Sequence, residues 1–229
     1  MADTPRIELA ALLNDAAALV GDRPLTFGAA TAIYVAAGIW IDSQIWSLGA
    51  QFVTLGAITL LSGLLQYLVL RRALGPPVPG GRLAALLAPV TAVATYLVVW
   101  IVASIGYVLL VLPGCYLAGR LSAAVGVSVA ERTGLFASIA QSWRRTRQSW
   151  LPLMLGQALL LVPLFGFIGL GVIVWVVDQE SLLSDETSLE FALLSNLVIG
   201  AITLAGWAIA GAAYRLTAPK AGAIEDVFA

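Results

Sequence analysis

Between Leu83 and Ala130 the chain runs for 48 residues with a single charged side chain, Arg120, and two prolines, Pro89 and Pro113. One helix of that length would measure about 72 Å at 1.5 Å per residue, more than twice the ~30 Å of hydrocarbon in a bilayer. The run therefore has to turn back on itself. Pro113-Gly114 is where the sequence predicts the turn, leaving one span over about 85–112 and a shorter one over about 115–130.

The rest of the chain tests whether the short segment crosses. If it does, eleven of the twelve basic residues fall on one side: Arg6, Arg23, Arg71, Arg72, Arg82, Arg132, Arg144, Arg145, Arg147, Arg215 and Lys220. The other side then carries Asp42 and the acidic loop with Asp178, Glu180, Asp185, Glu186 and Glu190, and no basic residue. If it does not cross, the cluster at Arg144 to Arg147 joins the acidic loops. The charge bias favours crossing and predicts that both termini are cytoplasmic.

The composition agrees with lipid as the main solvent. Sixty per cent of residues are hydrophobic, 11% are charged, and the mean hydropathy is +0.95; soluble domains carry about a quarter charged residues. With no histidine and one cysteine, Cys115, the chain lacks the means for a His-ligated metal, a His-activated nucleophile or an intrachain disulfide. No metal or cofactor is expected, and nothing suggests nucleic acid as a partner. Asp3, Glu8, Asp15 and Asp22 in the first 22 residues argue against a cleaved leader.

Residues 1–24 read as an N-terminal amphipathic helix, with Thr4 as cap and Pro5 in the first turn. Its apolar side is Leu9, Leu12, Leu13, Ala16, Leu19 and Val20, and its polar side Glu8, Asp15 and Asp22. Residues 25–216 read as a membrane domain of six spans, at about 25–41, 45–70, 85–112, 115–130, 151–177 and 191–213. A second interfacial helix over 135–150 separates the fourth span from the fifth. Residues 217–229 read as a disordered tail. The fold class expected is all-α: a polytopic membrane helix bundle of six transmembrane helices plus two interfacial amphipathic helices. Amphipathic helix plus two spans occurs at 4–70 and again at 135–215, a weak internal repeat in the same orientation.

Leu112-Pro113-Gly114 followed by Tyr116 and Arg120, then Ser142-Trp143, Thr146 and Trp150, resembles the signature region of the YciC-like bacterial integral membrane proteins. That family is related to the membrane domain attached to some glycerophosphodiester phosphodiesterases. The resemblance implies about six spans and no catalytic residue. Cys115, where a branched apolar residue is usual, and Gln148, where glycine is expected, depart from it.

Three sets of side chains are candidates for function. Arg120, inside an apolar segment at a cost of ~2.5 kcal/mol or more, reads either as an anion or lipid-headgroup site, or as a structural arginine that snorkels to an interface or bonds carbonyls freed by the Pro113-Gly114 break. Arg144, Arg145 and Arg147, between Trp143 and Trp150, suit anionic lipid or serve as a positive-inside anchor. Ala118, Ser122, Gly126 and Ala130 form a small-residue stripe for close helix packing, within the chain or against a membrane-protein partner or second copy. Gln51, Gln66, Gln157 and Asn196 are expected to hydrogen-bond between helices, and Asp42 to sit in a turn. The function expected is that of a non-enzymatic integral membrane protein, lipid-binding or accessory to a membrane complex. The alternative is a small transporter with a path near Arg120, which requires a polar cavity reaching that residue.

Overall fold

The structure, a computed structural model, describes residues 6–42, 48–77, 81–177 and 189–218. Among these the chain is helical, with no strand: α1 (Leu9–Asp22), α2 (Pro24–Asp42), α3 (Leu48–Ala73), α4 (Arg82–Leu109), α5 (Val111–Leu121), α6 (Ala124–Glu131), α7 (Leu135–Arg145), α8 (Trp150–Val177) and α9 (Leu189–Thr217). Six segments are long and apolar enough to cross a membrane: Pro24–Asp42, Phe52–Ala73, Arg82–Leu109, Val111–Glu131, Arg147–Gly169 and Ala192–Thr217. The tail expected to be disordered, most of the acidic loop and the polar step after Asp42 lie outside the described residues.

The long apolar run does fold back, but at Leu110 rather than at Pro113-Gly114. Leu110 is extended, with φ −164° and ψ 141°, and α5 starts at the next residue. Pro113 then occupies the first turn of α5, where the N–H it lacks would have no acceptor in the helix. Gly114 is needed for a different reason. Its surface lies against Tyr107, and a Cβ at Gly106 would come within 2.8 Å of the Gly114 Cα, so the two helices meet backbone to backbone. Further along, Val125 and Val129 of α6 share a core cluster with Ala88 and Ala92 of α4, so α5 and α6 run antiparallel to α4.

The fourth span is two helices, interrupted at Ser122-Ala123. It is also the most enclosed: 67% of it is buried, against 44% for the next most buried span. Small residues make this possible, since helices in lipid gain little from hiding apolar side chains and much from close approach. A Cβ on Gly119 would sit 2.8 Å from the Met154 backbone nitrogen of α8, and one on Gly126 2.5 Å from the Tyr214 Cβ of α9.

Helix α1 lies on the bundle with its apolar side inward. Leu12, Ala16 and Leu19 are buried in the main core with Phe27, Leu153, Trp207 and Ala212. It starts at Leu9 with Glu8 as cap, later than expected, because Arg6–Glu8 are held out of the helix: the Ile7 N–H donates to Ser149 Oγ at 2.8 Å. Thr4 and Pro5 lie outside the described residues. At its far side Asp15 pairs with Arg215 of α9 at 3.3 Å.

Candidate functional site

Helix α7 is amphipathic in an inverted sense. Its buried positions are Ser138 and Ser142, continued past its end by Thr146 and Ser149, a hydroxyl stripe at spacing four, four and three. The apolar stripe that the sequence offers on this helix, Phe136, Ile139, Ala140, Trp143 and Trp150, points largely the other way, with Phe136 82% exposed, Trp143 and Trp150 also exposed and Ile139 half-buried. Such a helix docks by hydrogen bonds and leaves its rings outside.

Each hydroxyl in the stripe has a partner. Ser138 Oγ donates to the Gly134 carbonyl at 3.0 Å and shares a 2.7 Å bond with Thr133 Oγ1. Ser142 Oγ donates to the Arg120 carbonyl at 2.9 Å, and the Thr146 hydroxyl is shared between that carbonyl, at 2.9 Å, and the Ser142 carbonyl, at 2.8 Å. That carbonyl is available because α5 stops one residue later, at Leu121, and the last carbonyls of a helix have no partner within it.

The side chain of Arg120 completes the joint in the reverse direction. One guanidinium nitrogen donates to the Trp143 carbonyl, which lies in the last turn of α7, where a helix dipole favours a positive charge. The guanidinium carbon is 4.2 Å from the centre of the Trp143 ring and 5.9 Å from that of Tyr116. Tyr116 in turn meets Trp143 and Trp150 edge-on, at 6.1 and 5.9 Å. Arg120 is 4% exposed. Among the described residues no carboxylate pairs with it, and its Nε has no hydrogen-bond partner. The charge is held by ring faces, a carbonyl and a helix end.

This arrangement settles where Arg120 sits. Gly119 backs onto Leu153 and Met154, so Arg120, midway along the Val111–Glu131 span, is level with the first turn of α8 and the last turn of α7. Five positions that carry the family resemblance, Tyr116, Arg120, Ser142, Trp143 and Thr146, meet here, and Trp150 closes the ring cluster.

The basic cluster divides. Arg145 forms a two-pronged pair with Glu131, at 2.7 and 3.1 Å, which ties the end of α7 to the end of α6. Arg144 and Arg147 are exposed. The small-residue stripe is buried at Ala118, Ser122 and Gly126 and half-buried at Ala130. It does not act as one surface: Gly126 meets α9, while Ser122 Oγ turns back to the Gly119 carbonyl at 2.8 Å. Gly119, outside the stripe, makes the closest approach to α8.

Of the polar residues expected within spans, Asn196 bonds between helices, its Nδ2 donating to Asp42 Oδ2 at 2.7 Å. Asp42 is thus the last residue of α2 and an acceptor for α9, not a free turn residue. Gln66 and Gln157 line a half-open cavity of about 360 Å³ between the spans. Arg120 does not line it. The side chain of Gln51 lies outside the described residues. The hydroxyl stripe on α7 was missed at the level of sequence, although Ser138, Ser142, Thr146 and Ser149 recur at helical spacing. Serine and threonine read as neutral filler until a carbonyl is found opposite them.

No protein-family model, curated protein or solved structure matches the chain.

Proposed function

We propose that this chain is a non-enzymatic, multi-pass protein of a bacterial inner membrane, with both termini cytoplasmic, that binds anionic lipid along the outward face of α7. The observation that carries this reading is the inverted docking of α7. Its hydroxyls face inward, so Phe136 and one side of Trp143 and Trp150 are exposed beside Arg144 and Arg147, which have no ion-pair partner among the described residues. Aromatic rings with adjacent cations are the composition that settles at a headgroup layer. The resemblance to YciC-like membrane proteins belongs to the same proposal, since the residues that carry it meet beneath this face. A permease path through Arg120 has less support, because Arg120 is enclosed and lies off the half-open cavity.

The test is phosphatidylglycerol retention in native mass spectrometry of protein purified from mixed phosphatidylglycerol and phosphatidylcholine. At ~1 kcal/mol for each cation near a headgroup layer, Arg144→Ala with Arg147→Ala should weaken retention by about thirtyfold. Arg145→Ala should leave it unchanged, because Glu131 already holds that charge. Equal losses in both variants, or none in the double variant, overturn the reading. A reporter fused after Thr133 should be cytoplasmic; a periplasmic signal would reverse the orientation.

A further inference from the structure

The half-open cavity is walled by α2, α3, α4, α5, α6, α8 and α9, and no charged side chain lines it. Five of its lining residues are aromatic: Tyr34, Tyr96, Trp100, Tyr107 and Trp207. Much of its polar lining is internally satisfied, as where Tyr96 Oη donates to Ser62 Oγ at 2.9 Å. Two lining side chains are not. Gln66 is 4% exposed and Trp207 2% exposed, and among the described residues Gln66 Oε1 and Trp207 Nε1 have no hydrogen-bond partner. One is an acceptor only and the other a donor only. A buried polar atom without a partner costs about 1–3 kcal/mol, so two of opposite type on one cavity are the complement of a group that both gives and takes a hydrogen bond.

A second hollow adjoins this one. Phe52, Leu55, Gly56, Leu60, Leu97 and Ile101 form an apolar groove of about 370 Å³ between α3 and α4, on a face whose large side chains are largely exposed. Trp100 lines both the groove and the cavity and is 39% exposed. Gly56 lies in the groove, and a Cβ there would meet nothing within 4 Å. This glycine, one of three at seven-residue intervals on α3, therefore keeps a channel open, whereas Gly63 of the same series packs on Tyr96. The cavity is near the small end of ligand sites, which run roughly 300–1,000 Å³; it has room for a head, and the groove has room for a chain.

We infer that the cavity and groove together bind an uncharged long-chain alcohol from the membrane, its hydroxyl between Gln66 and Trp207 and its hydrocarbon along the α3–α4 groove past Trp100. A carboxylate or phosphate head is disfavoured, because nothing charged lines the cavity to compensate it. A pure hydrocarbon would leave both polar atoms unanswered. The hydroxyl could belong to a diacylglycerol or to a single-chain alcohol.

The experiment uses the full chain in phosphatidylcholine nanodiscs with two photoreactive probes, a diacylglycerol and a hexadecanol, each bearing a diazirine on its chain. Cross-linked peptides are identified by mass. Capture should map to α3 and α4 around Gly56 and Trp100, and should be competed by hexadecanol but not by hexadecane or hexadecanoate. Trp207→Phe, which keeps a ring edge-on to Tyr34 but loses the donor, and Gln66→Leu should each reduce capture about fivefold or more, as expected for one buried hydrogen bond. Cys115 protection from maleimide verifies that each variant is folded. Gly56→Phe should block capture by filling the groove while leaving Gln66 and Trp207 in place. Capture of one probe only identifies which alcohol the site takes. No capture of either probe, capture insensitive to Trp207→Phe, or competition by hexadecane equal to that by hexadecanol overturns the inference.

Discussion

The joint at Arg120 makes a quantitative prediction. Ser142 and Thr146 donate to one carbonyl, so removing either hydroxyl leaves the acceptor served by the other. Ser142→Ala or Thr146→Val alone should cost about 1 kcal/mol, the ordinary value of a hydrogen bond. The double variant leaves the Arg120 carbonyl in a buried setting with neither hydroxyl, a loss of about 3 kcal/mol rather than the 2 kcal/mol of the summed singles. Cys115 is the chain's one cysteine, buried on α5 a turn and a half before Arg120, and is a built-in reporter. Its capture by a maleimide in mild detergent measures how often α5 is uncovered. At tenfold per 1.4 kcal/mol, each single variant should accelerate capture about fivefold and the double more than a hundredfold. A double variant whose acceleration equals the product of the singles, about twenty-five to thirtyfold, would show that the hydroxyls do not share an acceptor. No acceleration at all would show that the joint does not hold α5 in place.

Glycines should divide by what faces them. Gly119→Ala places a methyl against the α8 backbone and should destabilise by about 1–3 kcal/mol, whereas Gly28→Ala enters open space within α2 and should stabilise by about 0.5–1 kcal/mol; thermal melts that rank the two alike would contradict the packing. Burial raises the pKa of Asp15 on α1, only partly opposed by Arg215. A raised carboxyl means that the folded state binds the proton more tightly, so the favourable contribution is complete in acid and is lost as pH climbs through the raised value. Asp15→Asn should therefore match the parent in melts near pH 4 and exceed it at pH 8. A variant less stable at pH 8 would mean that the Arg215 pair outweighs burial.

The spans were legible because length and hydropathy alone constrain a helix that must satisfy its own backbone in lipid. The turn at Leu110 was not, because proline punctuates a helix interior but is harmless in a first turn, and the signal was taken for the break itself. The small-residue stripe was legible as packing but not by partner: spacing along one helix cannot say that Gly119 approaches α8 and Gly126 approaches α9. Arg120 stood out as costly, but the carbonyls expected for it were those freed at Pro113-Gly114, and it bonds a different one. That the carbonyl belongs to Trp143, twenty-three residues on, depends on the fold-back of α7 along α6. Arg132, in the left-handed conformation at φ 51°, ends α6 just before that fold-back. The faces of α1 and α7 look alike as patterns, yet one buries leucines and the other serines, so the repeat suggested by their order does not extend to how they dock.

Much of what shelters the fourth span is synthesised after it. Leu153 and Met154 against Gly119, the carbonyl of Trp143, and Tyr214 beside Gly126 all follow Glu131 in the chain. During biogenesis Arg120 and Gly119 of α5 therefore wait only until Trp143 and Met154 follow, whereas Gly126 of α6 waits through more than eighty further residues until Tyr214 emerges. A message truncated before Trp143 would leave the arginine without its carbonyl, and one truncated before Tyr214 would leave the Gly126 edge bare.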